Sequence, residues 1–99
     1  EPDTFSNEYI YTTQRRDIDV NKHMHNLNYL DLAYEALPED VYNNAVLNNK
    51  DFENIEIMYK TAIRLGDTSR CLYTFDEEKH IITIKGMDEK TLHCIVELW

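Results

Sequence analysis

The second half of the chain is the feature that most restricts the fold. From residue 52 to residue 98 it consists of four segments in which apolar and polar side chains alternate, joined by short links rich in turn-forming residues. This alternation is typical of strands with one buried face, and short links favour antiparallel neighbours. The predicted strands are 52–63, 69–76, 79–86 and 91–98.

One further strand and one helix precede these four strands. Residues 7–16 are rich in aromatic and β-branched types and predict the first strand. From residue 27 the apolar spacing changes to three and four, which is typical of an amphipathic helix, with Asn26 available as N-cap and Pro38 ending the run. The side chains expected on the apolar face of this helix are Leu27, Leu30, Ala33, Tyr34 and Leu37.

The element order therefore predicts an α+β fold. One strand, one helix and four closely linked strands indicate a curled antiparallel sheet of about five strands wrapped around one helix. An Asn-rich stretch at 39–50 separates the helix from the second strand, with Val41, Tyr42, Val46 and Leu47 as expected anchors. A chain of 99 residues suffices for one core and is too short for two, so we expect a single domain over residues 1–99. One helix covers only one face of such a sheet, so the other face and the edges need a partner or a second domain.

Charge and hydropathy exclude several classes of protein. The chain has 19 acidic and 10 basic residues, a formal charge of -9, which opposes binding to nucleic acid and to anionic membranes. No apolar run approaches the roughly 20 residues that cross a bilayer, so no membrane span is predicted. Cys71 and Cys94 form no metal or CxxC pattern, which favours free thiols in the cytoplasm, without cofactor or metal. Two basic groups could receive an anionic ligand or could be solvated strand ends: Arg15, Arg16 and Lys22, and Lys60, Arg64 and Arg70.

The segment between the first strand and the helix carries the residues with the most chemistry. Residues 17–23 place two carboxylates, a carboxamide and an imidazole directly before a helix N-terminus. A carboxylate can attack an acyl carbon or activate water, a histidine can shuttle a proton, and helix N–H groups can stabilise an oxyanion, so acyl transfer is one interpretation. The other is that Asn and Asp form turns and caps while His23 and His25 are ordinary polar residues. A metal site is disfavoured because no third ligand has a suitable spacing.

This segment resembles a known family signature. Residues 17–26, DIDVNKHMHN, are similar to the DxDxNxHxxN motif of acyl-acyl-carrier-protein (acyl-ACP) thioesterases, and 28–30 extend the match. Residues 35–38 resemble the family's helix end, and residues 57–67 its next strand and turn. The resemblance implies a hot-dog domain, the C-terminal half of a tandem pair, and a chain that starts at Glu1 fits that position.

The resemblance also implies a reaction and its partners. The reaction is hydrolysis of the thioester of fatty acyl-ACP, which releases free fatty acid from the phosphopantetheine arm of the acyl carrier protein. An apolar tunnel between helix and sheet is expected to take the acyl chain. The domain is expected to pair with an upstream hot-dog domain or, as a homodimer, with a second copy.

The family roles fall on three residues of the loop. Asp19 would serve as nucleophile, base or orienting carboxylate, Asn21 would position substrate or water, and His23 would act as acid/base or polariser. An aspartate side chain is ordinarily ionised at neutral pH, so it needs no activation for this work.

One position departs from the family pattern. Where the family commonly has Tyr, two residues and then Glu, this chain has Tyr59 followed by Ala62. Asp19 then works alone, or a second carboxylate such as Glu56 substitutes, or the domain is impaired. The alternative functions are a non-catalytic hot-dog half that binds acyl chains or stabilises its partner, and an acyl-CoA thioesterase.

Overall fold

The sheet and one helix of the computed structural model match the predicted architecture. The structure describes residues 5–47 and 52–99, in which five strands form one antiparallel sheet of order β1-β3-β4-β5-β2. The strands are β1 (Asn7–Thr12), β2 (Ile55–Tyr59), β3 (Thr68–Asp76), β4 (Lys79–Gly86) and β5 (Leu92–Leu98), and helix α1 (Asn26–Glu35) packs on one face of this sheet. The predicted α+β class is confirmed.

The layer between α1 and the sheet is filled with side chains. Cys71 on β3 pairs with Ile84 on β4, which pairs with Cys94 on β5, so these three side chains share the face toward the helix. Burial raises the pKa of both cysteine thiols to about 12, so they stay protonated and inert. The side chains with no exposed surface include Ala33, Ala36, Ile63, Cys71, Ile82, Ile84, Cys94, Val96 and Leu98.

This filled layer corrects one expectation. A side chain that bordered an open tunnel would retain accessible surface, and these side chains retain none. The centre of the layer is therefore closed, and an open cleft of about 450 Å³ remains at its edge, between β1 and α1.

Helix α1 buries most of the predicted face. Ala33 and Leu37 are buried and Leu30 and Tyr34 pack against the core, whereas Leu27 is 70% exposed. The helix begins at Asn26 itself, with His25 rather than Asn26 as N-cap. The small side chains of Ala33 and Ala36 allow close approach to the sheet. The buried residues of the helix and its C-terminal extension are Tyr29, Leu32, Ala33, Ala36 and Leu37.

Two strands end earlier than predicted. Strand β1 stops at Thr12 because residues 15–17 form a 3-10 turn, where the Gln14 N–H donates to the Asp17 side chain at 2.8 Å. Strand β2 stops at Tyr59 because the N–H groups of residues 60 and 61 both donate to the His93 carbonyl, at 2.8 and 3.2 Å. The chain leaves the ladder there, although Ile63 is still buried as expected.

The Asn-rich stretch is helical over its described part. Helix α2 (Glu39–Tyr42) runs into a π-helical turn at Asn43–Leu47. The expected anchors Val41 and Tyr42 pack against the core, whereas Val46 is 40% exposed and the neighbouring Ala45 is buried instead. The remaining expected anchor, the side chain of residue 47, lies outside the described residues. No helix in the described part of the chain is long and apolar enough to cross a membrane.

An aromatic cluster closes the C-terminal end of α1. The Asn7 side chain donates to the Ala36 carbonyl at 2.7 Å, which ties the start of β1 to this end of the helix. Beside it the Tyr73 hydroxyl lies 2.7 Å from His80 Nδ1. The rings of Phe75, 4.9 Å away, and of Phe52, 5.3 Å away, contact the same imidazole. Burial lowers the pKa of His80, partly offset by the charge of Asp40.

Candidate active site

The loop before α1 closes as one tight turn. The Asp19 N–H donates to the His23 carbonyl at 2.9 Å, and the Lys22 N–H donates to the Asp19 carbonyl at 3.0 Å. Lys22 adopts φ 64°, the left-handed region that closes such turns and favours Gly or Asn. All three predicted site residues therefore lie within residues 19–23.

Asp19 uses only part of its hydrogen-bonding capacity. Its Oδ1 accepts the N–H groups of Asn21 at 2.9 Å and of His23 at 3.2 Å, which is the turn-forming role that the sequence left open. Within the described residues its Oδ2 has no hydrogen bond, and neither do the exposed Asn21 carboxamide and the half-buried His23 imidazole. One carboxylate oxygen, a carboxamide and an imidazole are thus free to meet a substrate.

Asp17, two residues earlier, is the opposite case. It is 5% exposed, and its carboxylate accepts hydrogen bonds from the Tyr11 hydroxyl at 2.7 Å, the Gln14 N–H at 2.8 Å and the Asn28 carboxamide at 2.7 Å. The hydrogen bond to Asp17 raises the pKa of Tyr11, so the hydroxyl keeps its proton and acts as donor. Asp17 fixes the loop to β1 and α1 and has no capacity left for chemistry.

The N-terminus of α1 opens beside this loop. The N-cap His25 makes no side-chain capping bond, and its own N–H donates to the Asp17 carbonyl at 2.7 Å. The Asn28 N–H turns back to the His25 carbonyl at 2.9 Å, which leaves the N–H groups of Asn26 and Leu27 without a partner among the described residues. Such groups can stabilise a developing oxyanion.

A second wall of the site comes from residues 61–64, of which the sequence singled out Ala62 and Arg64 without placing them beside the loop. The Met24 N–H donates to the Ile63 carbonyl at 2.7 Å, and His23 forms an isolated antiparallel bridge with Arg64. From the helix side, the Tyr29 hydroxyl accepts the Ile63 N–H at 3.0 Å. No spacing rule could have found this last contact, since it joins residues 34 positions apart.

Ala62 lines a small polar cleft on this wall. The cleft has a volume of about 270 Å³ and is also lined by Arg64, Asp67 and His93, whose Nδ1 lies 2.9 Å from the Thr61 carbonyl. Glu56, the alternative carboxylate, is exposed and alternates with Ile57 and Tyr59, so it lies on the face of β2 away from the helix. It does not reach the Asp19 loop.

Positive charge surrounds the loop although the chain as a whole is acidic. Arg70 of the predicted second basic group lies elsewhere, on the outer face of β3, paired with Glu8 and Glu89. Within residues 5–47 and 52–99, no three or more His, Cys, Asp or Glu side chains are placed to hold a metal ion. The exposed basic residues of the loop and of the second wall are Arg15, Arg16, Lys22, Lys60 and Arg64.

A larger cleft, of about 450 Å³, lies beside the loop between β1 and α1. Tyr9 and Tyr11 of β1 form one wall, Asp31 and Glu35 of α1 lie on the other, and Arg16 and Asp17 of the loop also line it. Its carboxylates outnumber Arg16, which disfavours an anionic ligand in this cleft.

A curled five-stranded sheet around one helix, with a carboxylate and an imidazole in the loop before that helix, defines the hot-dog thioesterase class. The chain matches the model of the acyl-ACP thioesterase C-terminal domain over residues 1–95, and it belongs to that family. No curated protein sequence matches it. The family and the fold expected from the sequence are thus confirmed.

Solved structures share the fold at low sequence identity. The 12:0-ACP thioesterase from Umbellularia californica is similar with a TM-score of 0.79 and 16% identity, over 99% of this chain and 36% of that one. An acyl-ACP thioesterase from Bacteroides thetaiotaomicron has a TM-score of 0.76 and 17% identity, over 99% and 40%. The hypothetical protein SAV2348 from Staphylococcus aureus, solved in complex with CoA, has a TM-score of 0.75 and 20% identity, over 97% and 75%. The chain thus spans well under half the length of either acyl-ACP thioesterase.

Proposed function

We propose that this domain hydrolyses the thioester of fatty acyl-ACP in the cytoplasm and releases free fatty acid, as part of fatty acid biosynthesis. The observation that carries the proposal is the position of Asp19, with one unbonded carboxylate oxygen beside a histidine and an open helix N-terminus. Membership of the acyl-ACP thioesterase family supports the same reaction.

The loop residues divide the reaction between them. Asp19 takes a proton from the water that attacks the acyl carbon, or attacks that carbon itself and forms an acyl-aspartate anhydride that water then hydrolyses. In both routes the N–H groups of the first turn of α1 hold the oxyanion that forms on the carbonyl oxygen. His23 donates a proton to the sulfur as the C–S bond breaks. Asn21, exposed on the turn, orients the substrate or the water.

The acyl chain needs a surface outside the filled core. Apolar side chains near the loop are unusually exposed: Val20 is 96%, Leu27 70% and Tyr59 50% exposed. We place the acyl chain against this apolar rim, because burying such surface is favourable at roughly 25 cal/mol per Å².

The carrier protein is the expected partner, and the basic residues around the loop are its docking surface. An acidic carrier protein is repelled by the net charge of the chain but attracted by Lys22, Lys60 and Arg64. The rate of association should therefore fall as the salt concentration rises.

The unpaired edge of β2 is the expected pairing surface. Among residues 5–47 and 52–99 this strand pairs with β5 alone, and its residues Ile55 and Tyr59 are about half exposed, at 47% and 50%. In the tandem arrangement this chain is the C-terminal hot-dog domain and pairs with an upstream one, and the isolated chain pairs with a second copy. Light scattering of the isolated chain at high concentration should show a dimer, and a monodisperse species of 11.8 kDa would contradict this.

A second candidate function is hydrolysis of acyl-CoA. The similar S. aureus structure was solved in complex with CoA, and CoA offers the same pantetheine arm with additional phosphates for the basic residues. Comparing kcat/KM for acyl-ACP and acyl-CoA of the same chain length decides between the two carriers.

The direct test of the reaction is Asp19→Asn. This change keeps the shape and the two turn bonds of the side chain but removes the charge, so kcat should fall about 100-fold or more without a change in melting temperature. Unchanged turnover and unchanged melting temperature would show that Asp19 only fixes the loop. No thioester hydrolysis by the wild-type chain, alone or with its upstream domain, would favour a non-catalytic hot-dog half.

A further inference from the structure

Tyr29 lies in the first turn of α1, and its ring belongs to the core. The residue is 3% exposed, and its ring lies edge-on to that of Tyr59, at a centroid distance of 5.3 Å and an angle of 87°. Its hydroxyl accepts the Ile63 N–H at 3.0 Å. A phenylalanine ring would fill the same space, so the hydroxyl needs an explanation other than packing.

The hydroxyl satisfies a backbone group that the sheet cannot satisfy. Ile63 has no exposed surface and follows the point where β2 leaves the ladder, so its N–H has no strand partner. Its carbonyl accepts the Met24 N–H at 2.7 Å. The helix and the loop therefore hold the backbone of Ile63 from opposite sides, and a buried N–H without Tyr29 would cost a full desolvation penalty.

This contact continues to the carboxylate of the site. Met24 follows His23, whose N–H donates to Asp19 Oδ1 at 3.2 Å and whose backbone pairs with Arg64. Tyr29, Ile63 and the loop thus form one continuous hydrogen-bonded unit, with Ala62 at its edge.

We propose that Tyr29 is a positioning residue of the hydrolytic site: through the Ile63 amide it holds the wall at residues 61–64 against the Asp19 loop. The inference rests on the proposed hydrolysis and adds to it a residue that acts through its neighbours rather than on the substrate. Misplacing reacting groups by a fraction of an ångström is costly, because catalysis depends on their orientation.

The chemistry of the hydroxyl suits this role. Burial raises the pKa of Tyr29, and the nearby Cys94, Tyr59 and Asp19 add to the rise while the bond to Ile63 opposes it. The hydroxyl therefore stays neutral over the whole range in which a thioesterase works, and its contact with Ile63 does not change with pH.

The test compares Tyr29→Phe with Tyr73→Phe. Tyr73 is a matched control because it is also 3% exposed and its hydroxyl also makes one bond, to His80 at the far end of the helix. With acyl-ACP as substrate, we expect Tyr29→Phe to lower kcat about tenfold or more while KM changes less than about twofold. Tyr73→Phe should lower the melting temperature comparably and leave kcat near the wild-type value.

Amide hydrogen exchange supplies a readout that does not depend on activity. In Tyr29→Phe the amides of Ile63, Met24 and His23 should exchange faster, and in Tyr73→Phe they should not. Faster exchange with unchanged kcat would overturn the positioning role and leave the hydrolytic function standing. No turnover by the wild-type chain on acyl-ACP or acyl-CoA would overturn the proposed function itself, and the role of Tyr29 with it.

Discussion

The two ends of helix α1 use their polar groups in opposite ways. At the C-terminal end, Tyr73 and His80 satisfy each other inside an aromatic cluster, and Asn7 satisfies the Ala36 carbonyl. At the N-terminal end, one oxygen of Asp19 has no hydrogen bond from the described part of the chain, and the helix N-cap makes no side-chain capping bond there. Hydrogen-bonding capacity that folding leaves unused marks the end where a substrate can bind.

The contrast is sharpest between two aspartates of the same loop. Asp17 accepts three hydrogen bonds at its carboxylate and is buried, whereas the half-buried Asp19 uses one oxygen to close the turn. Two identical side chains, two residues apart, thus serve stability in one case and, in the proposed reaction, chemistry in the other.

The largest effect is expected for Asp17→Ala. It leaves the Tyr11 hydroxyl, the Gln14 N–H and the Asn28 carboxamide without their acceptor, and should lower the free energy of unfolding by about 3 kcal/mol. Urea denaturation measures the loss. Asp19→Ala is the control and should cost only about 1 kcal/mol, since it removes turn bonds that water can replace. Equal losses would erase the distinction between the two aspartates.

Ala62→Glu adds a second carboxylate to the candidate site, on the wall at residues 61–64. The cleft of about 270 Å³ at Ala62 has room for a longer side chain, with Arg64 on its lining as a counter-charge. We expect a modest loss of stability and a gain in kcat of about tenfold that depends on His23. The matched control Ala62→Gln has the same size without the charge and should show no gain.

Loss of stability in Ala62→Glu without gain, in a chain that already hydrolyses acyl-ACP rapidly, would mean that Asp19 suffices. Position 62 would then have no part in the reaction, whatever side chain relatives have there.

Lys22→Gly tests whether the backbone of the turn at residues 19–23 is strained. Lys22 has φ 64°, which costs a residue with a Cβ roughly 1 kcal/mol relative to glycine. The substitution should therefore raise the free energy of unfolding by up to about 1 kcal/mol in urea denaturation. Lys90→Gly, at an exposed turn position without positive φ, should instead be neutral or destabilising. A loss of stability in Lys22→Gly would show that the turn is not strained.

The smallest effect is a dependence of stability on pH, through His80 in the aromatic cluster at the C-terminal end of α1. Because burial lowers the pKa of His80 below its ordinary 6.5, the unfolded chain binds this proton more readily than the folded one. The stability that His80 contributes is fully present above pH 6.5 and is lost as the pH falls through its folded-state pKa. In His80→Phe this component should vanish, so the wild-type minus variant difference in unfolding free energy should decline below about pH 6.5. If the unfolding free energies of wild type and variant instead change in parallel with pH, the aromatic cluster is insensitive to pH.

The sequence predicted the parts of the fold that follow from local patterns. Strand β4 begins and ends where alternation placed it, at residues 79 and 86, because each of its residues has a ladder partner. The end of β2 at Tyr59 was not predictable, since it depends on the His93 carbonyl, which captures the next two N–H groups from another strand. Exposure of Leu27 was likewise not predictable, since its spacing matches that of helix residues that do pack against the core.

The same limit applies to the site. The resemblance of the loop motif predicts roles for Asp19, Asn21 and His23, but not the three hydrogen bonds that bury Asp17, because their donors come from β1, the following turn and α1. Tyr29 belongs to the same matched segment, yet its bond to Ile63 joins residues that only the tertiary fold brings together.

The filled layer between α1 and the sheet limits where substitutions could change the acyl chain length that the proposed site accepts. Truncating Ile82 or Leu98, which have no exposed surface, would leave a void and cost roughly 2–5 kcal/mol each. Such a loss is a large fraction of the stability of a small domain. A library meant to shift the proposed site toward shorter or longer acyl chains should therefore vary the exposed Val20 and Leu27, and keep the interior and Tyr59, whose ring packs on Tyr29.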